Sequence, residues 1–479
     1  MDEAKHFIDG AWRAPAGGET IAVIDPSDGE TFARIARGNA ADVDTAVSAA
    51  RRAFEGAWGA LSAAERGRAL GRLSALVAQH QETLAQLESR DTGKPLKQAR
   101  ADAAALARYF EFYAGAADKL HGETLPYQAG YTVLTLREPH GVTGHIVPWN
   151  YPMQIFGRSV GAALATGNAC VVKPAEDACL SVLRVAALAH EAGLPPGALN
   201  IVTGYGHEAG AALAAHPGID HVSFTGSPQT GKLVAQMANE NHVPATLELG
   251  GKSPQIVFAD ADFNTALPFL VGAIVQNAGQ TCSAGSRVLI ERAAYEPLLA
   301  RLASAFEALR VGPASADLEC GPLISEKQRR RVRAFLDEAA HEGIATAARG
   351  RIVAEAPAQG FYEAPALLRD VPPQSRLAQE EVFGPVLAAM PFDDEAQAIA
   401  LANGTPYGLV AGIWTRDGAR QLRIARRVRA GQVFVNNYGA GGGVELPFGG
   451  SGQSGHGREK GFEALYGFTV LKTIAIRHG

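Results

Sequence analysis

The chain has 479 residues, 47% of them hydrophobic and 19% charged, with a formal net charge of −5. This is an ordinary globular composition, long enough for two or three domains with full cores and too large for a small module. The mildly acidic balance excludes a global attraction to nucleic acid or anionic membrane, and short arginine clusters such as 329–333 read as solvated helix faces.

In chain order, the N-terminus "MDEAKHFIDG" is acidic at once and lacks the basic and then apolar regions of a signal peptide. From Asp42 to Trp58, Val43, Ala46, Val47, Ala50, Phe54, Ala57 and Trp58 recur at steps of three and four, which predicts an amphipathic helix. Two further helical stretches are expected up to about Leu120. "YTVLTLREPHG" from Tyr131 reads as an exposed or edge strand. From Gly141, "GVTGHIV", "NACVVKP", "NIVTG", "HVSFTG" and "ATLELGG" are short β-rich runs ending at Gly or Pro, four of them followed by a helical pattern. That alternation predicts parallel strands with helical crossovers, hence a doubly wound α/β sheet. After Gly251 a second series, "SPQIVFA", "SRVLIE", "GPVLAAMPF", "GLVAGIWT" and "GQVFVNN", predicts a second α/β domain. The longest uncharged run, Phe263 to Ser286, contains Pro268 and several glycines, and its strongly apolar part is too short to span a bilayer.

Four cysteines, Cys170, Cys179, Cys282 and Cys320, show neither paired nor CxxC spacing. The expectation is no disulfide framework, no zinc site or other metal, and a reducing cytoplasm. Cys170, Cys179 and Cys320 read as structural. Cys282 differs, because "NAGQTCSAGSR" surrounds it with small and polar residues just after an apolar helical pattern stops. A loop there leaves a thiol partly exposed beside backbone N–H groups, as a nucleophile requires.

An acyl intermediate on such a thiol needs an oxyanion donor and a base for water. Asn150 in "PWNYP" is a rigidly held amide, although the same residues also suit a simple turn. Glu248 in "LELGGKSP" is a strand-end carboxylate that burial would make more basic, or else a cap for backbone N–H groups. Glycines 204, 206 and 210, and Gly226, Ser227 and Gly231, mark two consecutive strand-to-helix turns of the kind that take phosphates. Lys173 and Glu176 in "VVKPAE" can meet a ribose, or form a surface ion pair. No histidine except His145 lies near the motifs of Cys282, Asn150 and Glu248, and the lack of an evident Cys-His pairing argues against a cysteine protease.

"PWNYP", "KPAE", "FTGS", "LELGGKSP", "GQTCSAGSR", "EEVFGPV", "VFVNN" and "PFGGSGQSGHGREKG" occur in the order found in the aldehyde dehydrogenase superfamily, which the chain resembles from about residue 5 to its last strand. The resemblance implies NAD(P)-dependent oxidation of an aldehyde to the acid, with Cys282 as nucleophile, Glu248 as general base and Asn150 in the oxyanion hole. It places Ile146, Pro148, Trp149, Lys173, Glu176, Gly206, Gly210, Phe224, Gly226, Ser227, Leu249, Glu381 and Phe383 at the dinucleotide. Glu176 favours NAD, with NADP possible. It further implies a cofactor domain from 1–119 and 139–248, a catalytic domain from 249–445, and a small β extension from 120–138 and 464–479 that joins a homodimer or homotetramer.

Tyr151, Ile155 and Arg158 follow Asn150 on a helix expected to face the aldehyde. Arg158 could pair with a substrate carboxylate or be tied to backbone carbonyls. Relatives that oxidise semialdehydes often add a second arginine where this chain has Gln276, so no such substrate is assigned. Ser159 replaces a lysine that many relatives place in a proton path ending near Glu459. The glycine-rich stretch 439–443 could cover the tunnel mouth, with Tyr438 or Glu445 touching substrate. A CoA-acylating enzyme would not need Glu248, a non-catalytic relative would lack Cys282 or Glu248, and ester hydrolysis by the same three residues stays open.

Overall fold

The five β-rich runs after Gly141 become the strands Val142–Val147, Ala169–Pro174, Leu199–Ile201, His221–Thr225 and Ala245–Glu248 in a computed structural model that describes residues 5–439 and 443–479. Neighbours among them are parallel. Ala169–Pro174, Leu199–Ile201 and His221–Thr225 are buried along their whole length, as strands covered by helices on both faces must be. In space the order runs from Leu199–Ile201 through Ala169–Pro174 and Val142–Val147 to His221–Thr225 and Ala245–Glu248. The order therefore reverses between Val142–Val147 and His221–Thr225, and the carboxyl ends of those two strands flank the crevice where doubly wound sheets bind ligands. His6–Ile8 and Ala11–Arg13 extend one edge of this sheet and Gly455–His456 the other.

The first helix, Ala40–Glu55, starts at a capping box between Asn39 and Asp42 and stops at Gly56, so it ends before Trp58. Trp58 is instead anchored beyond the helix, fully buried, with its indole N–H donating to the Asn168 carbonyl at 2.9 Å. The region up to residue 120 holds three further helices, Ala63–Gln79, Gln81–Thr92 and Leu96–Ala116, one more than the sequence pattern predicts. The extra break is at His80, which caps the end of one helix and the start of the next. A polar residue with no proline or glycine beside it gives no sequence signal for that break.

The second series forms a seven-stranded sheet in the order Thr346–Arg349, Ala366–Leu368, Val386–Phe392, Arg287–Glu291, Pro254–Val257, Val410–Trp414, Gln432–Val435. Its first two strands are absent from the sequence-based expectation. They read "TAAR" and "ALL", with Thr346 as their single β-branched residue and no aromatic, and form through pairing, Ala366–Leu368 with Val386–Phe392 and Thr346–Arg349 with Ala366–Leu368. A separate three-stranded sheet joins Thr469–Arg477 to Tyr131–Pro139 in nine antiparallel pairs, with Thr124–Leu125 beyond. Thr469–Arg477 is an edge strand in the chain, and Val470, Leu471, Ile474 and Ile476 on it are exposed. Among the described residues no helix is long and apolar enough to cross a membrane, and no cluster of His, Cys, Asp or Glu could hold a metal ion.

Candidate active site

Strand ends deliver the polar motifs to one side of the first sheet. Val142–Val147 runs into Pro148, Trp149 and Asn150, and the next helix, Pro152–Ala165, starts at once with proline in its first turn. His221–Thr225 ends at Gly226 and Ser227, and Ser227 caps Pro228–Asn239 by accepting from Thr230 N–H at 3.2 Å. Ala245–Glu248 ends at Glu248 itself.

Cys282 lies on a turn after the helix Phe263–Val275, partly exposed as its neighbours predict. The path to it passes through Asn277 and Ala278, whose φ angles of 49° and 53° are left-handed. For alanine this is a strained conformation that surrounding contacts must hold. They are present: Asn277 N–H donates to Gln98 Oε1 at 2.9 Å, Asn277 Nδ2 donates to the Asn150 carbonyl at 2.9 Å, and Gln280 Nε2 donates to the Asn277 carbonyl at 3.0 Å. The Gln280 carbonyl accepts Asn150 Nδ2 at 3.0 Å. Gly251 closes the turn from the other side, since a Cβ there would meet the Cys282 carbonyl at 2.4 Å. The loop after one sheet is thus fastened to the strand end of the other.

Beneath Asn150 is a buried charge cluster. Lys94 Nζ donates to the Asn150 carbonyl at 3.0 Å and to Glu88 at 3.2 Å, and also pairs with Asp102. Its ammonium stands 4.2 Å from the centre of the Tyr151 ring. Glu88 also accepts Ser181 Oγ at 2.9 Å, while burial pushes its carboxyl up to about 7. One lysine between two buried carboxylates is neutralised when one carboxylate keeps its proton.

Glu248 is buried, and neither of its oxygens has a hydrogen-bond partner in the protein. It does not cap backbone N–H groups. Burial, with the Glu459 carboxylate adding to it, raises Glu248 well above the usual carboxylate range. Gly449 leaves it room, because a Cβ at that position would stand 2.7 Å from Glu248 Oε1. Burial likewise pushes the Cys282 thiol up to about 12, with the Arg158 guanidinium acting in the opposite direction.

A cavity of about 360 Å³ opens against Cys282. Tyr151, Ile155, Arg158 and Tyr438 all line it. Arg158 is neither a free cation nor tied to backbone carbonyls. It is buried and ion-paired with Glu459, donates to Thr225 Oγ1 at 3.3 Å, and lies over the Phe448 ring. Its partner is 301 residues away in the chain, beyond reach of local pattern. Ser159 turns inward on its helix, donating to the Ile155 carbonyl at 3.0 Å. Tyr438 donates to the Ser283 carbonyl at 2.6 Å, whereas Glu445 is exposed, pairs with Arg108, and is not part of the cavity wall. Of the stretch 439–443, residues 440–442 lie outside the described residues. His145 is buried against Phe468 and hydrogen-bonded to Thr143, away from this wall.

The residues expected at a dinucleotide sit around the crevice. Ile146, Pro148 and Trp149 are part-exposed, and the Phe383 ring meets Trp149 edge-on at 5.4 Å. Phe383 has a left-handed φ of 59°, and Glu381 accepts the Gly251 N–H at 3.0 Å. Lys173 is buried and donates to Glu176 at 2.8 Å, so this pair is half-buried and not a surface bridge. Gly206 and Gly210 bound a single π-helical turn after Leu199–Ile201. Phe224 lies under Gly226, and Leu249 under Gly231, where a Cβ would come within 2.5 Å of each side chain. An exposed helix start, a carboxylate beside a lysine, and apolar surfaces along strand ends fit a dinucleotide.

Sequence reasoning missed Lys94, Gln98, Gln280, Asn277 and Lys460. Lys94 in "TGKP" and Lys460 in "GREKG" look like surface lysines beside glycine, and only their burial distinguishes them.

The doubly wound sheet and the strand-end site define an NAD(P)-dependent oxidoreductase. The profile of the aldehyde dehydrogenase family matches residues 12–474. The NADP/NAD-dependent aldehyde dehydrogenase PuuC of Escherichia coli is 43% identical over 479 residues, covering 99% of this chain and 96% of that one. A crystal structure from Burkholderia cenocepacia is 81% identical with a TM-score of 0.99, covering 99% of this chain and 100% of that one. The NAD+ complex of an aldehyde dehydrogenase from Bacillus cereus is 40% identical with a TM-score of 0.97, covering 100% and 97%. The chain belongs to the aldehyde dehydrogenase family, and its reaction is oxidation of an aldehyde to the carboxylic acid with NAD(P) as cofactor.

Proposed function

We propose that Cys282, Asn150 and Glu248 carry this oxidation. The Cys282 thiolate adds to the aldehyde carbon, and the oxygen that becomes negative is received by the Asn150 side chain and the Cys282 backbone N–H. The Asn150 amide has two N–H bonds and gives one to Gln280, which leaves the other for this oxygen. NAD(P)+, when bound, supplies the hydride acceptor. Loss of hydride from the thiohemiacetal carbon leaves a thioester on Cys282. Glu248, basic through burial, takes a proton from water, the resulting hydroxide attacks the thioester, and the acid leaves as the thiol is restored. The observation that carries this reading is the tether of Asn150 to the Cys282 turn through Gln280 and Asn277, which holds the donor beside the thiol.

Ile146, Pro148, Trp149, Lys173, Glu176, Gly206, Gly210, Phe224, Gly226, Ser227, Leu249, Glu381 and Phe383 form the dinucleotide site in this reading. Glu176 favours NAD by opposing a 2′-phosphate, and its pairing with Lys173 softens that opposition and leaves NADP usable. Residues 1–119 and 139–248 make the cofactor domain and 249–445 the catalytic domain. Residues 120–138 and 464–479 join a cytoplasmic homodimer or homotetramer, because the strand Thr469–Arg477 offers an open edge with apolar side chains. Tyr151 and Ile155 contact the aldehyde, and Arg158, committed to Glu459, shapes the wall.

The test follows reduced nicotinamide with aliphatic and aromatic aldehydes, using NAD and NADP, in native protein and in Cys282→Ala. Aldehyde-dependent NADH that disappears with Cys282→Ala is the expected result, and turnover that survives this substitution overturns the assignment.

A further inference from the structure

The turn after Ala245–Glu248 carries a buried cation that the proposed cycle leaves without a task. Lys252 is 2% exposed, and its ammonium has no hydrogen-bond partner among the described residues. An apolar side chain of the same length would fill that space without stripping water from a charge, so packing does not account for a lysine here. Its backbone is firmly held, since Arg287 Nε donates to the Lys252 carbonyl at 2.9 Å. Arg287 is itself buried, and its other two nitrogens donate to the carbonyls of Leu401 and Ala402 at 2.8 and 2.9 Å. Two buried cations therefore meet at this turn, and among the described residues neither is bonded to a carboxylate.

Glu381 is the carboxylate that answers them. Gly251, next to Lys252, donates its N–H to Glu381 Oε1 at 3.0 Å, and a Cβ on Gly250 would stand 2.3 Å from Oε2, so the carboxylate rests on the backbone of the same turn. Arg331 Nη2 donates to the Glu381 carbonyl at 2.7 Å, and Glu380, the other acidic neighbour, pairs with Arg376 at 3.0 Å. Burial lowers Lys252 to about 7, with Arg287 and Arg331 acting the same way and Glu381 and Glu380 opposing. Burial raises Glu381 to about 7, and the Gly251 N–H, Lys252 and Arg331 oppose it. Tyr407 and the Cys282 thiol also face this carboxylate, and both are raised above their ordinary values, so neither titrates near neutrality.

We propose that Lys252 is a positioning residue for the cofactor: its buried ammonium holds Glu381 as an anion against the Gly250–Gly251 turn, where Oε2 receives a ribose hydroxyl of the dinucleotide. This rests on the reading above that Glu381 belongs to the dinucleotide site. An ionised carboxylate accepts from a hydroxyl more strongly than a protonated one, so a cation that keeps the proton off strengthens cofactor binding without touching the cofactor. The same short stretch of backbone begins at Glu248, the proposed base, and packs Gly251 against the Cys282 carbonyl, so one turn serves the cofactor and the thiol together.

The experiment titrates NADH fluorescence from about pH 6 to about pH 9 in native protein, Lys252→Met, Glu381→Gln and the double variant. Native affinity is expected to rise as pH passes about 7, where Glu381 ionises. Lys252→Met is expected to weaken NADH about fivefold at neutral pH and to move the rise upward by about one pH unit, because Glu381 then keeps its proton longer. In the Glu381→Gln background the same Lys252→Met change is expected to have little further effect. Native affinity that is flat across this range overturns the role of Lys252, and does so even if Lys252→Met does not fold. Folded Lys252→Met with native affinity and native pH dependence overturns it too, as does a Lys252→Met loss of equal size with and without Glu381. Glu381→Gln that binds NADH as tightly as the native protein overturns the placement of Glu381 at the dinucleotide, and the role of Lys252 falls with it.

Discussion

The Asn150 side chain donates to the Gln280 carbonyl at 3.0 Å while the Asn150 carbonyl accepts from Lys94 and Asn277, so this residue is fixed at both ends. In the proposed cycle the fixed amide acts on the transition state more than on substrate binding. Asn150→Ala is expected to lower kcat by about 10²- to 10³-fold, the range for loss of one oxyanion donor, with a much smaller change in KM. Steady-state kinetics on a fixed aldehyde measures the split; equal loss in both constants would contradict the assignment.

In the proposed cycle Glu248 has a different place, after the hydride has left. Glu248→Gln is expected to give a burst of about one NADH per active site followed by slow turnover. Intact-mass measurement after the burst should find the acyl group on the protein, and a Cys282→Ala control should not carry it. Absence of both burst and adduct would place the role of Glu248 earlier than hydrolysis.

The same carboxyl links stability to pH. Its folded pKa is raised by burial above the ordinary carboxylate value that it has when unfolded. Below that unfolded value both states are protonated and the group costs nothing. As pH rises past it, the unfolded chain releases the proton and the folded one does not, which costs about 1.4 kcal/mol per pH unit until the folded group itself ionises. Glu248→Gln should therefore match the native protein in Tm near pH 4 and exceed it increasingly toward neutrality, as measured by thermal unfolding with matched buffers.

The reaction rate should follow pH in the opposite sense. In the proposed cycle Cys282, pushed up to about 12, and Glu248 both act deprotonated, so kcat/KM is expected to climb as pH is raised from neutrality into the alkaline range. A bell centred below neutrality would show that the bound state does not keep these groups protonated.

Lys94 supports Asn150, the proposed oxyanion donor, from beneath. Lys94→Met leaves Glu88 and Asp102 buried without their cation, a change that costs about 3–5 kcal/mol when one partner of a buried pair is removed. Denaturant unfolding should register that loss. In protein that remains folded, kcat should fall more than KM because the Asn150 carbonyl loses one of its two donors.

The exposed strand face has its own test. Leu471→Glu with Ile474→Glu places charges on the open strand Thr469–Arg477 and is expected to shift the particle to a smaller size in light scattering. An unchanged mass would locate any assembly contact elsewhere.

The strands from Val142–Val147 to Ala245–Glu248 were legible in the sequence because a buried parallel strand needs a short apolar run and a Gly or Pro stop, both local features. The unusual neighbours of Cys282 were legible for the same reason. The split at His80 and the strands "TAAR" and "ALL" were not, since their own residues prefer nothing strongly and tertiary pairing decides for them.

For the site, the sequence alone determined which strand ends carry polar residues and which cysteine has small and polar neighbours in the chain. Tertiary structure decided the charges: Arg158 belongs to Glu459, Lys94 to Glu88, Asp102 and the Asn150 carbonyl, and Lys460 to the cavity wall. Turn chemistry and periodicity act over a few residues, but the energy of a buried charge depends on whichever group folding brings beside it.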